Sequence, residues 1–344
     1  MKPAQVGNLL WYAASDWIVI VSVTTAMYFG PWWLYPFGVL LVAGRLHALG
    51  VVLHDACHMK DQRKTPALRL LECVAAYPIA TTLKAMRYHH LRHHRDSGMP
   101  TDPYFKAGVS SDRAKRFLMT MRGAFLVPAW ILRSIVGCVA LLRPKLRTSY
   151  GRLFLQDRSG ADLTSSREVL ACLKEEPFQL CFFLVVGCIG LYYPTELALF
   201  YGLPLVVAGM LNVNRVIVEH DHVRCWDRLP GTVIATTRTH DWRAWGKLFL
   251  FPRNIGFHLV HHLYPRAPLA SLPELHAWDV ERLTAPSGHS YHNRLPVEED
   301  GMAEPAEQQT GCDISEVRGI SDIGFDSSQL IPTSKASDRA PAIR

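Results

Sequence analysis

The chain has 344 residues, of which 49% are hydrophobic and 19% charged, with nine Trp and a net charge of +7. That is more apolar and less charged than an ordinary soluble domain, so the positive charge points to a membrane rather than to nucleic acid. Eight cysteines (57, 73, 138, 172, 181, 188, 225, 312) lack C-x-x-C spacing, which argues against a disulfide framework, a zinc ribbon or an iron–sulfur cluster. Residues 1–15 are mildly amphipathic, without the basic region and cleavage site of a removable signal peptide. Apolar runs follow at residues 17–28 and from Gly30-Pro31 to about Leu53. They are read as two antiparallel spans joined by a tight turn and flanked by Tyr28, Trp32, Trp33 and Tyr35, an interfacial aromatic belt.

Residues 59–177 are rich in Lys and Arg. Two apolar pieces lie among them, 68–83 and 117–142, both broken by charge, proline or glycine (Glu72, Pro78; Arg122, Pro128, Arg133). They are expected to be buried or interfacial helices rather than spans. Residues 143–176 are polar and basic and are placed outside the membrane. A third span is predicted at 178–193 and a fourth at 197–218, with Pro194-Thr195-Glu196 as their turn. The two proposed outer turns carry no Lys or Arg, so the positive-inside rule puts both termini and the basic segment in the cytoplasm. The expected architecture is all-α and integral to the membrane, with four transmembrane helices and a cytoplasmic helical cap. Residues 1–292 form the membrane-embedded domain, and 293–344, rich in Glu, Gly, Ser and Pro, form a disordered tail.

Three stretches carry nine of the sixteen histidines: His54-Asp55-Ala56-Cys57-His58, His89-His90-Leu91-Arg92-His93-His94 and His258-Leu259-Val260-His261-His262. A helical residue advances about 100°, so positions i, i+3 and i+4 share a face. Each stretch thus presents two or three imidazoles together. Imidazole is a common ligand for iron, zinc and copper. Eight or nine clustered imidazoles exceed the four ligands of a usual zinc site, and two metal ions sharing the set is the natural arithmetic. Two spans separate the second stretch from the third, which puts all three on one side of the membrane. Histidines at a membrane boundary are expensive and therefore usually functional, and oxygen chemistry on an unactivated C–H bond is one reason to hold two redox metals there.

At these residues the chain resembles the membrane fatty acid desaturase/hydroxylase superfamily, whose boxes are H-x(3–4)-H, H-x(2–3)-H-H and (H/Q)-x(2–3)-H-H. The surroundings of the third box match too, from Phe251-Pro252-Arg253-Asn254 to Leu263-Tyr264-Pro265, as does Glu219-His220. The resemblance implies a diiron O2-dependent oxidoreductase that desaturates or hydroxylates a fatty acid or lipid, with two iron ions as cofactor. Its ligands would be His54, His58, His90, His93, His94, His220, His258, His261 and His262. His89 also fits the second box, and His222 could replace His220. Asp55, Asp96, Asp102, Glu219 and Asn254 are candidates to orient the ligands. His47 is read as a packing residue or an outer partner of the first box, and His240, His276, His289 and His292 as surface residues.

Box two continues through Arg95-Asp96-Ser97-Gly98 to Asp102-Pro103-Tyr104-Phe105, a run similar to that of carotenoid ketolases and some carotenoid hydroxylases. Acyl-lipid desaturation is therefore the first reading and carotenoid hydroxylation or ketolation the alternative. A histidine-rich zinc hydrolase or metal transporter fits less well: the first would leave most of these histidines idle, and the second would place its ligands at the bilayer midplane. The chain has no H-P-G-G haem motif and no ferredoxin-like cysteine set. A separate ferredoxin or cytochrome b5-type electron donor is implied, with lipid or fatty acyl substrate and membrane as the other partners and no nucleic acid.

Overall fold

The computed structural model describes residues 4–284, Arg243 excepted, and side chains up to Asp279. The predicted tail at 293–344, with His289 and His292, lies outside the described residues. Helix α1 (Val6–Phe29) buries Leu9, Ala13, Asp16, Ile20 and Met27, spaced by three, four or seven residues, so one stripe faces inward. Pro31 cannot continue a helix and disfavours the helical conformation at Gly30, and the chain reverses there. After one 3-10 turn it enters α2 (Tyr35–Cys57). Helix α2 is the central element, buried almost all round from Gly38 onward.

The segment α3 (Pro66–Leu71) and the π and 3-10 turns to Ile79 fold back against α1, where Trp17 Nε1 donates to Val74 O at 2.7 Å. Helix α4 (Leu83–Asp96) follows, started by Thr82, whose Oγ1 accepts from the Ala85 N–H. Next come α5 (Arg113–Arg122) and α6 (Leu126–Leu142), joined by a 3-10 turn at Gly123–Phe125, then α7 (Arg147–Phe154) and α8 (Arg167–Leu173). Helix α9 (Glu176–Tyr192) leads through α10 (Pro194–Leu197) and a π turn into α11 (Leu203–Glu219). Four short elements close the chain: α12 (Pro230–Thr236), α13 (Ala244–Phe249), α14 (His258–Leu263) and α15 (Leu272–Thr284). Among the described residues there is no strand, only an isolated bridge between His220 and Thr237.

Among the described residues, four helices are long and apolar enough to cross a membrane: Val6–Phe29, Trp32–Cys57, Arg113–Leu142 and Pro194–Glu219. Three correspond to expected spans and the third does not. The predicted span at 178–193 is α9, whose 17 residues reach about 26 Å, at the lower end of the range for a span. Residues 113–142, expected as a buried or interfacial helix, run as one kinked helix long and apolar enough to cross, but the chain on both sides of it meets the histidine end, Ser110 at His220 and Asp157 at Tyr88 of α4. The supposed breaks are accommodated. Pro128 falls in the first turn of α6, where no helical N–H is needed. Arg133 is fully buried and meets Glu176 at 2.9 Å. Gly123 lets the backbone pass against Gly209 of α11, where an added Cβ would stand 2.7 Å from the Gly209 carbonyl oxygen.

Both expected outer turns lie at one end of the bundle. Tyr35 Oη donates to Leu199 O at 2.9 Å, and the Tyr28 and Tyr35 rings pack on Phe200. The histidine boxes lie at the opposite ends of α2 and α11. In a background whose exposed native cysteines are replaced by serine, cysteines introduced at Trp32 and Thr195 should react with an impermeant maleimide from outside the cell. A cysteine at Arg152 should react only after permeabilisation. Labelling of the Arg152 position in intact cells would refute a cytoplasmic histidine end.

Candidate metal centre

Each box ends or forms a helix that fixes the spacing of its rings. The last turn of α2 carries His54 and leads to its cap, His58; α4 carries His90, His93 and His94; the six-residue α14 carries His258, His261 and His262. His220 caps α11 with an extended backbone, which turns its ring out of the helix and into the cluster. The nine rings form two groups, His54, His58, His90, His94 and His261 in one, and His93, His220, His258 and His262 in the other. Within each group one nitrogen per ring lies within 4.8 Å of all the rest. All are buried except the half-buried His58. Helices α4 and α14 contribute to both groups, which adjoin at the His94 and His262 rings, 4.3 Å apart.

In the first group the Nε2 atoms of His58 and His90 are 2.8 Å apart, and His94 Nε2 lies 3.0 Å from those of His90 and His261. In the second, His220 Nε2 is 3.0 Å from both His93 and His258, and His262 is 3.0 Å from His258. A metal–nitrogen bond of about 2.1 Å with neighbouring ligands at right angles separates their nitrogens by about 3.0 Å, so these rings already have coordination spacing. Hydrogen bonds alone do not satisfy the set. Both nitrogens of His54, and Nδ1 of His94, His258 and His261, are buried without a hydrogen-bond partner, a costly state for a polar atom. Burial, reinforced by the charges of Arg87 and Arg266, pushes His58 down to about 3. Burial likewise holds His90, His94, His220, His258, His261 and His262 well below the usual imidazole range. Neutral imidazoles with free lone pairs are what metal binding requires. The residues present fit a pair of transition-metal ions.

The other candidates fall in distinct places. His89 turns away, its Nδ1 bonded to Tyr104 Oη at 2.7 Å, and it belongs to neither group. His222 Nδ1 accepts the Lys106 N–H at 3.4 Å, and its ring lies 6.2 Å from that of His220. Asp102 Oδ1 bonds His93 Nδ1 at 2.9 Å, and the carboxylate also accepts the Gly98 and Tyr104 N–H groups. Burial opposes ionisation of Asp102, but these contacts hold it below the ordinary carboxylate range. Glu219 Oε2 approaches His258 Nε2 at 3.6 Å. Asp96 is forked onto Arg95 at 2.7 Å. Asp55 and Asn254 line a separate cavity of about 210 Å3 with Tyr12 and Arg253. Asn254 Nδ2 donates to Leu269 O.

His47 is a packing residue, its Nδ1 3.0 Å from Phe249 O. His240 and His276 depart from expectation: both are half-buried, His240 stacked on Phe251 with Nε2 2.8 Å from Val218 O, and His276 against Phe257. Three unpredicted side chains border the cluster. Tyr104 stacks on His93 at 4.4 Å, Arg228 Nη2 lies 3.5 Å from His262 Nδ1, and Arg215 pairs with Glu219 at 2.7 Å. The Arg–Glu spacing of four within α11 is the signal that marks Arg215 in the sequence. The family model described as fatty acid desaturase matches residues 30–294, well over half of the chain. No curated protein matches the chain.

Proposed function

Because the chain belongs to the fatty acid desaturase family, we propose that it is an integral membrane oxidoreductase that uses O2 and a histidine-held pair of irons to desaturate a fatty acyl or lipid chain. The observation that carries this reading is the division of nine imidazoles, eight of them buried, into groups of five and four with coordination spacing. The five rings of the first group and the four of the second would each hold one iron. The irons, when bound, supply the activation of O2 and the oxidising power needed at an unactivated C–H bond.

The chain itself supplies position and dryness. Burial favours the neutral form of His58, His90, His94, His220, His258, His261 and His262, and Asp102 fixes the His93 ring by its hydrogen bond at Nδ1, so Nε2 faces inward. Tyr104 covers the other side of that ring. The groups sit at the end of apolar helices, where a hydrocarbon substrate enters from the bilayer. Electrons come from a separate ferredoxin or cytochrome b5-type donor on the cytoplasmic side, to which we assign the boxes and both termini.

A second reading, carotenoid hydroxylation or ketolation, is favoured by one observation. The run after box two that resembles those enzymes is the segment that packs Asp102 and Tyr104 onto His93. Product analysis separates the two. The protein should be expressed in a host that supplies both defined fatty acids and carotenoids, and its lipids analysed by mass spectrometry. Loss of two hydrogens from an acyl chain is expected; oxygen gained by a carotenoid would replace the first reading by the second. Elemental analysis of chelator-free protein from iron-replete cells should give two irons per chain. Activity retained with one zinc and no iron would overturn both readings.

A further inference from the structure

Orienting carboxylates meet a ligating imidazole at its remote nitrogen, as Asp102 does at Nδ1 of His93, 2.9 Å away. Glu219 breaks this pattern. Its Oε2 lies 3.6 Å from Nε2 of His258, the nitrogen that also faces His220 and His262 at 3.0 Å. The remote Nδ1 of His258 is buried and has no hydrogen-bond partner. Glu219 therefore stands on the coordinating side of the ring. It is 1% exposed, and one guanidinium nitrogen, Nη1 of Arg215, holds both of its oxygens at 2.9 and 2.7 Å. That leaves each oxygen with a lone pair to give. The second group also has one fewer imidazole than the first.

We propose that Glu219 is an oxygen ligand: its carboxylate, paired with Arg215, turns onto the metal ion held by His93, His220, His258 and His262. The proposal rests on reading the two histidine groups as metal sites. It gives that site one anionic donor among neutral nitrogens, which favours the more highly charged state of the ion. Arg215 holds the carboxylate in place and keeps it from lying buried and unpaired.

The test uses full-length protein in detergent micelles, stripped of metal and titrated with ferrous iron under argon. Wild type is compared with R215Q/E219Q, which removes both charges at once while keeping shape, so a loss of affinity cannot come from an unpaired arginine. Wild type should bind two irons. The double variant should bind one as wild type does and the other at least about tenfold more weakly. In wild type carrying carboxyl-labelled glutamate, the infrared difference spectrum on adding iron should show a glutamate carboxylate band shifting to that of a metal-bound carboxylate. The band should be absent from the double variant. The proposal falls if the double variant binds both irons with wild-type affinity, or if wild type shows no glutamate band. The spectrum decides alone should the double variant fail to fold. Wild type that binds fewer than two irons would instead overturn the metal-centre reading, and this proposal with it.

Discussion

Replacing His220 by alanine should lose product formation at least about a hundredfold, as deeply as replacing His262, together with a fraction of the bound iron. His220 lies outside the three boxes, yet its Nε2 is the meeting point of the second group, 3.0 Å from both His93 and His258. Removing it would leave that group three rings. The loss would exceed the tenfold to hundredfold cost, approximately, of disturbing an outer partner of a metal ligand, because the donor itself is gone. His222 is the control. It is buried two residues away, but its Nδ1 accepts the Lys106 N–H. Its backbone has a φ of 53°, which asparagine tolerates, so His222→Asn should keep most activity and both irons. If His222→Asn is inactive and His220→Ala active, the ninth ligand is His222. If both keep wild-type iron, the second group works with three imidazoles and the count of nine is wrong.

The site was legible in the sequence to the extent that its parts are local. A two- or three-histidine box is one helical turn, so its geometry follows from spacing alone, and the division of α4 between the groups follows from His90 and His94 sharing a face slightly turned from His93. His220 was accessible only through its resemblance to a motif, because its placement depends on the end of α11 and on a bridge to Thr237. The carboxylates were not legible. Asp55, Asp96, Asp102, Glu219 and Asn254 are all near boxes in sequence, yet only Asp102 and Glu219 approach an imidazole. What separates them is tertiary: a tight loop held by Gly98 at φ 77° brings Asp102 under His93, while Asp96 is taken by its neighbour Arg95. Consecutive left-handed residues, Arg253 and Asn254, turn the chain into α14. Asparagine permits that conformation and arginine resists it, so the local signal was half hidden. The length of the helix at 113–142 was hidden for the same reason. Charge within residues 117–142 reads as an interruption until a partner is known, and the partner, Glu176, is more than forty residues away.

That partnership makes Arg133→Met strongly destabilising. Arg133 is fully buried in α6; its Nε meets Glu176 Oε1 at 2.9 Å and its Nη2 donates to Gln179 Oε1 at 2.6 Å. Glu176, at the start of α9, also accepts from Tyr150 Oη at 2.5 Å. The pair thus fastens α6, α7 and α9 together. Taking away the guanidinium leaves a buried carboxylate without its counter-charge, which costs about 3–5 kcal/mol, a large part of the roughly 5–15 kcal/mol by which a folded domain is stable. Arg133→Met should therefore lower the detergent-solubilised protein's thermal unfolding midpoint, followed by tryptophan fluorescence, by many degrees and reduce its yield. Neutralising the partner as well should restore most of the loss, since a buried ion pair contributes little over a well-packed neutral replacement. Glu176→Gln suits this purpose because its side-chain oxygen still accepts from Tyr150. The double variant R133M/E176Q should unfold near the wild-type temperature. If the single variant is already as stable as wild type, the pair does not hold these helices. If the double variant is no better than the single, the loss comes from packing around residue 133 and not from a stranded charge.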